Sequence, residues 1–325
     1  AATSRLGGIV VVIAYAVTLA VLLAFGRDHG SLELPLALAA APVVLLGLAE
    51  DLTCRVRPRY RMAAAVVSAM LASAWSGGIV PRLDLPLVDD LLQNLWFVLP
   101  LTWFMVAGAC NAVNLIDGVH GLAGGTALIM FGGIALAAGW SGDAETVNKT
   151  LIVMGALIGF LAWNYPRGRI FLGDAGAYFI GFMYAELSIQ LIAHNHDLSA
   201  WYVIMLGGYP IVDTLFAIYR RGVVRRTPLM DPDALHLHSL VFRRVAMPIE
   251  RRQKCWSLRR ANARVAPRMW LHSALCLALA VFFHDNTPAL WGCLAVYTAF
   301  YVSQYRALVR FRGSGMRRWA ANAPK

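Results

Sequence analysis

LWFVLPLTWFMVAGACNAVNLIDG, residues 95–118, decides the fold class. Positions 95–112 carry no charge and approach the length of about 20 apolar residues that crosses a bilayer as a helix. Asn111, Asn114 and Asp117 then follow at intervals of three, one stripe of a helix, and Gly118 closes the run. Polar groups at a hydrocarbon boundary are costly, so their presence there points to function. Three further clusters have the same placement: Glu50-Asp51, Phe171-Leu172-Gly173-Asp174 and His236-Leu237-His238. A single pair is weak, but four clusters on one face read as a site.

Working outward, the chain of 325 residues is 59% hydrophobic and 14% charged, outside the range of ordinary soluble domains. Candidate spans lie at 8–25, 33–49, 62–76, 95–112, 120–140, 150–165, 175–193, 201–219, 269–284 and 289–305. They leave no room for a soluble domain. The expectation is an all-α polytopic membrane protein, one bundle of about ten helices over 1–325, with a basic cytoplasmic loop at 220–268. With the N-terminus inside, 26 Lys/Arg fall on the inner side and 3 (Arg27, Arg82 and Lys149) on the outer, which fixes the expected orientation. The net charge of +11 then suits anionic headgroups and phosphorylated substrates rather than nucleic acid. Cys54, Cys110, Cys255, Cys276 and Cys293 show neither disulfide nor zinc spacing. Ser76–Asn94 suggests a small hairpin on the outer side. Val245–Arg264 reads either as a helix lying on headgroups or as a solvated basic loop. The opening AATSRLGG runs straight into a span without a signal peptide, and an upstream segment is expected.

Glu50-Asp51 suits divalent-metal chemistry or proton transfer beside phosphate, though a helix end with a basic flank gives the same pattern. The Asn/Asp stripe offers hard oxygen ligands appropriate to Mg²⁺. Gly118, Gly121, Gly124 and Gly125 then permit a turn whose N–H groups can receive phosphate, or simply close helix packing. Asp174 is either a second ligand or an N-cap. His236 and His238 suit hydrogen bonds to phosphate or sugar hydroxyls, against the alternative of two solvated histidines. Glu186 receives no role, and Asp213, followed by Arg220-Arg221, reads as structural.

Together GLAEDL (47–52), NAVNLIDGVHGLAGG (111–125), LAWNYPRGRIFLGDAGAYFIGF (161–182), YPIVDTLFAIYRR (209–221) and DALHLHSLVFRR (233–244) resemble the polyprenyl-phosphate N-acetylhexosaminyl-1-phosphate transferases, glycosyltransferase family 4. The WecA-like branch is the nearer match, and the likeness covers about three quarters of the chain, from TSRLGG onward. It implies that the family's first helix precedes Ala1. It also implies transfer of a sugar 1-phosphate from a UDP-N-acetylhexosamine to undecaprenyl phosphate, with release of UMP, in a bacterial inner membrane with the site facing the cytoplasm. That step would initiate O-antigen, lipopolysaccharide or other cell-envelope polysaccharide synthesis. By the resemblance Asn114 and Asp174 hold Mg²⁺ (Mn²⁺ as the alternative), and Asp51, Glu50 and Asp117 are catalytic. Asn111, Arg61, His120, His236 and His238 contact substrate. Glu50, His120, Ala177 and Ser239 depart from the common pattern. A homodimer is the candidate assembly.

Two mechanisms follow: direct in-line attack by the lipid phosphate, or a phosphoryl-enzyme on a carboxylate. The second pKa of a phosphate monoester near 6 favours the direct one. The alternatives are an MraY-like phospho-muramoyl-pentapeptide transferase, an inactive scaffold, and a secondary transporter. A transporter would place its site at the midplane within repeats, and neither feature is seen in the sequence.

Overall fold

Helix α9 (Gly173–His194) is the axis of the protein, and its 22 residues show why. They are apolar around the whole circumference rather than along one stripe, so every face must be covered. In the computed structural model, which describes residues 4–25, 33–228, 233, 235–253 and 257–310, 18 of the 22 residues of α9 are buried. Around it stand α1 (Gly7–Ala24), α3 (Ala41–Thr53), α4 (Pro58–Trp75), α6 (Leu95–Ile116), α7 (Leu122–Trp140) and α8 (Ala144–Asn164). Small residues bring these neighbours in. A side chain added at Gly8 would meet the backbone of Gly176 at 2.2 Å, and one at Gly181 would meet Cys110 at 2.5 Å.

The surrounding helices turn their remaining apolar faces outward. On α1, Val10, Ile13, Val17 and Val21 are exposed at helical spacing, as lipid contact requires. Among the described residues, seven helical segments are long and apolar enough to cross a membrane: Gly7–Ala24, Leu34–Thr53, Leu95–Ile116, Leu122–Trp140, Ala144–Asn164, Gly173–His194 and Leu258–Phe282. The second joins α2 (Glu33–Ala39) to α3. The last joins α14 (Leu258–Ala263) to α15 (Ala266–Phe282).

The other three predicted spans are helical but fall below that measure. Arg59 and Arg61 lower the hydropathy of α4, and Gly207 divides 201–219 into α10 (Trp201–Leu206) and α11 (Gly208–Tyr219). Tyrosines and Gln304 dilute α16 (Thr287–Arg310). The fold class is therefore the expected one, while the count of ten remains a reading of the sequence.

Three local expectations are corrected. Ser76–Asn94 contains a helix, α5 (Pro86–Leu92), instead of a hairpin. Pro86 is preset for the first helical turn, and the Asp89 carboxylate accepts the N–H groups of Leu83 at 2.7 Å and Leu85 at 3.1 Å. Within Val245–Arg264, α13 (Met247–Arg251) and α14 are separate short helices, with residues 254–256 outside the described set. Glu250 organises them: fully buried, it pairs with Arg260 at 2.9 Å and Arg264 at 3.0 Å. The segment is thus folded around a carboxylate. Lys149, expected in an outer loop, lies buried within α8 and binds Glu145 at 2.6 Å.

Candidate active site

The site is built on the first turn of α9. Residues 4–8 run beside Ile170–Leu172 and hold it: Phe171 N–H donates to Ser4 O at 2.8 Å, and Gly7 N–H donates to Phe171 O at 2.9 Å. The chain then turns at Gly173, whose φ of +73° favours glycine. A side chain there would meet the Arg5 carbonyl at 2.2 Å and the Asp51 carboxylate at 2.7 Å.

This turn presents the unpaired N–H groups of a helix start, and carboxylates take them. Asp174 N–H and Ala175 N–H donate to the two oxygens of Asp51 at 2.8 and 3.0 Å. Gly173 N–H donates to Asp117 Oδ2 at 3.2 Å. The Asp174 side chain accepts from Asn114 Nδ2 at 2.9 Å and forms an ion pair with Arg61. Asp51, Arg61, Asn114, Asp117 and Asp174, from four helices and one helix end, thus meet at one point. Burial pushes the Asp117 carboxyl up to about 7; the Gly173 N–H opposes this and the Asp51 charge adds to it. Glu50 binds its own loop, accepting Val56 N–H at 2.7 Å. Among the described residues no three His, Cys, Asp or Glu side chains are gathered as a metal-binding group.

His236 and His238 close the neighbouring wall. Their rings stack 5.7 Å apart at 10°, at the start of α12 (Leu237–Val241). The His238 Nε2 occupies the space over Gly118, where a side chain would meet it at 2.5 Å, so this pair abuts the Asp117 turn. His236 Nδ1 lies 2.6 Å from Asp213 Oδ2, and the Tyr301 hydroxyl donates to the same carboxylate. Burial opposes charge on His236, but the Asp213 hydrogen bond and charge outweigh it and raise its pKa. Burial lowers His238 to about 4.

A stability test follows from His238. Its folded pKa lies below the unfolded value near 6.5, so the folded state excludes a proton that the unfolded chain accepts, and stability is lost as pH falls from 6.5 towards 4. The loss expected by pH 4 is on the order of 3 kcal/mol. Thermal melts of the wild type and His238→Gln across that range check it. The variant should be less steep, and equal slopes would refute the assignment. The raised His236 has the opposite sign: its contribution is full below the unfolded value near 6.5 and is lost as pH rises through its raised folded pKa.

The remaining predicted residues are placed apart from the carboxylate cluster. His120 N–H donates to Asn262 Oδ1 at 2.6 Å, and its ring rests against Gly168 and lies 5.2 Å from Phe171. Asn111 lines an apolar groove of about 400 Å³, together with Met62, Tyr184 and Ile218. Asp213, read from the sequence as structural, is hydrogen-bonded and stands against His236. Its partners are His236 and Tyr301, whereas Arg220 binds Asp233 and the Tyr305 hydroxyl. A carboxylate inside a span was the available signal; Tyr301, 88 residues away, left none.

The chain is similar to known proteins over the region that holds the carboxylate cluster. The model of glycosyl transferase family 4 matches residues 34–192, which include Asp51, Asn114, Asp117 and Asp174. A probable undecaprenyl-phosphate N-acetylglucosaminyl 1-phosphate transferase of Bacillus subtilis is 30% identical over 72% of this chain and 64% of its own length. An undecaprenyl-phosphate alpha-N-acetylglucosaminyl 1-phosphate transferase of Thermotoga maritima is 30% identical over 69% of this chain and 65% of its own. A phospho-N-acetylmuramoyl-pentapeptide-transferase of Oceanobacillus iheyensis is 41% identical over 44% of this chain and 43% of its own. The chain thus spans just under two thirds of the first two relatives and less than half of the third. It belongs to glycosyl transferase family 4, the polyprenyl-phosphate hexosamine-1-phosphate transferase superfamily.

Proposed function

We propose that the chain transfers an N-acetylhexosamine 1-phosphate from a UDP-sugar to undecaprenyl phosphate at the inner face of a bacterial cytoplasmic membrane. An oxygen of the lipid phosphate forms a bond to the β-phosphorus, the bond to the bridging oxygen breaks, and UMP leaves. The observation that carries this reading is the convergence of Asp51, Arg61, Asn114, Asp117 and Asp174 on the start of α9, beside His236 and His238. Phosphoryl transfer needs positioning and charge neutralisation above all. The apolar groove supports a lipid acceptor. It begins at Met62 and Asn111, next to Arg61 and one turn from Asn114, and reaches Val80 and Pro81 at its far end.

The donor set also fits a hard divalent cation. Asp117, Asp174 and Asn114 offer oxygen ligands, and the Arg61 guanidinium stands on Asp174, where positive charge is required. These three residues would hold Mg²⁺ or Mn²⁺, which when bound would neutralise diphosphate charge. Asp51 spends both oxygens on backbone N–H groups, which favours a role in orienting the helix start over one in removing a proton. Arg61 and the histidine pair would bind phosphate and sugar oxygens.

The test uses purified protein in nanodiscs with undecaprenyl phosphate, Mg²⁺ and single UDP-sugars, and measures UMP. Lipid- and magnesium-dependent release from one donor is expected, falling by about 10³-fold in Asp174→Ala. No UMP from any donor would overturn the reading. The likeness to phospho-N-acetylmuramoyl-pentapeptide-transferases supports a second donor, UDP-muramoyl-pentapeptide, and the same assay separates the two. A role in initiating a cell-envelope polysaccharide would follow from the first donor.

A further inference from the structure

A second basic site lies beside the catalytic cluster. The loop after α8 and the segment from α14 to the start of α15 enclose a recess of about 970 Å³. Six arginines line it: Arg167 and Arg169 on one wall, and Arg259, Arg260, Arg264 and Arg268 on the other. Among the described residues no acidic side chain lines it, and none of the site carboxylates is in its lining. Arg260 and Arg264 share the single carboxylate of Glu250. No carboxylate among the described residues pairs with Arg167, Arg169, Arg259 or Arg268. Arg169 lies 5.3 Å from the Trp163 ring, and Arg268 donates to the Arg264 carbonyl at 2.7 Å.

The surroundings identify the ligand class. The recess sits at the ends of two spans, α8 and α15, and its margin is apolar. Trp163 is 56% exposed and Leu271, which lines the recess on α15, is 70% exposed. Guanidinium groups bind phosphate oxygens bidentately, and basic pockets between membrane helices on the inner side suit anionic headgroups. A soluble phosphate would use the arginines alone and make no use of the apolar contacts at Trp163 and Leu271. A diacyl lipid would use both.

We propose that this recess binds the phosphate headgroup of an anionic phospholipid, with acyl chains along Leu271 and Trp163, as a site separate from the catalytic cluster. The full chain in detergent is titrated with phosphatidylglycerol, cardiolipin or phosphatidylcholine and retained lipids are counted by native mass spectrometry. Pyrophosphate and UDP form the soluble arms. The wild type should hold the anionic lipids in preference to phosphatidylcholine. Combined Arg167→Gln, Arg259→Gln and Arg268→Gln should weaken that binding on the order of 100-fold, at about a factor of five per arginine. Arg167→Gln alone gives a milder form, and Arg55→Gln, elsewhere on the inner surface, should change nothing. Equal retention by wild type and triple variant would overturn the proposal. So would displacement of the lipid by pyrophosphate or UDP at the same arginines, which would assign the recess to a soluble phosphate.

Discussion

Asp51→Asn is expected to lower UMP release by about three orders of magnitude while leaving UDP-sugar affinity within a few-fold. The asparagine is nearly isosteric, so packing of α3 against α9 is retained. What is lost is one of two acceptors: the carboxylate takes Asp174 N–H at 2.8 Å and Ala175 N–H at 3.0 Å, and an amide would turn its own NH₂ towards one of them. The start of α9 then shifts, and Asp174 shifts with it, away from Asn114 and Arg61. Misplacement of about 1 Å is enough to cost orders of magnitude in a reaction that depends on positioning. Glu50→Gln is the internal comparison. Glu50 serves the Val56 N–H in its own loop, so its loss should be much milder, about tenfold or less. Steady-state kinetics of both variants against the donor decide it. An Asp51→Asn enzyme with more than a tenth of wild-type kcat would show that this carboxylate does not set the helix start.

The second large effect is expected from Asp213→Asn. Asp213 is buried and serves His236, the Leu237 N–H and the Tyr301 hydroxyl together. Removing one partner of a buried charged pair costs about 3–5 kcal/mol, because the other is left uncompensated. A drop in Tm of several degrees is therefore expected, together with loss of activity. A purely structural role would stop there. If Asp213 positions His236, its removal must also lower the His236 pKa, which Asp213 holds above the ordinary imidazole value. The imidazolium should then be lost at lower pH than in the wild type, and NMR titration of a labelled histidine reads that shift directly. An unchanged His236 titration would reduce Asp213 to packing.

Much of this was legible in the chain itself, and the reason is locality. Helix α9 could be read because its apolar residues cover all faces, and the stripe from Asn111 to Asp117 because helical spacing is a local pattern. The Gly173-Asp174 turn carries the signature of a helix start. What could not be read depends on partners distant in sequence. Glu250 looks like one acid in a basic loop, yet it organises α13 and α14 through Arg260 and Arg264. Tyr301 looks like an ordinary residue of α16 until it meets Asp213. The backbone of residues 4–8 carries no motif chemistry at all, although it braces the turn on which the carboxylates converge.

That brace, where Ser4 lies beside Ile170, also sets a timetable for biosynthesis. The earliest residues of the site must wait for about 170 more to be made before their partners exist. At roughly 5–20 residues per second that is on the order of ten seconds or longer. During this time Asp51 and Asp117 stand at the bilayer edge without the amide groups they will accept. Ribosomes stalled before and after the Gly173–Ala175 turn has left the exit tunnel should therefore carry two different nascent species, the first open at its acidic turn and the second closed by the backbone amides of Gly173, Asp174 and Ala175.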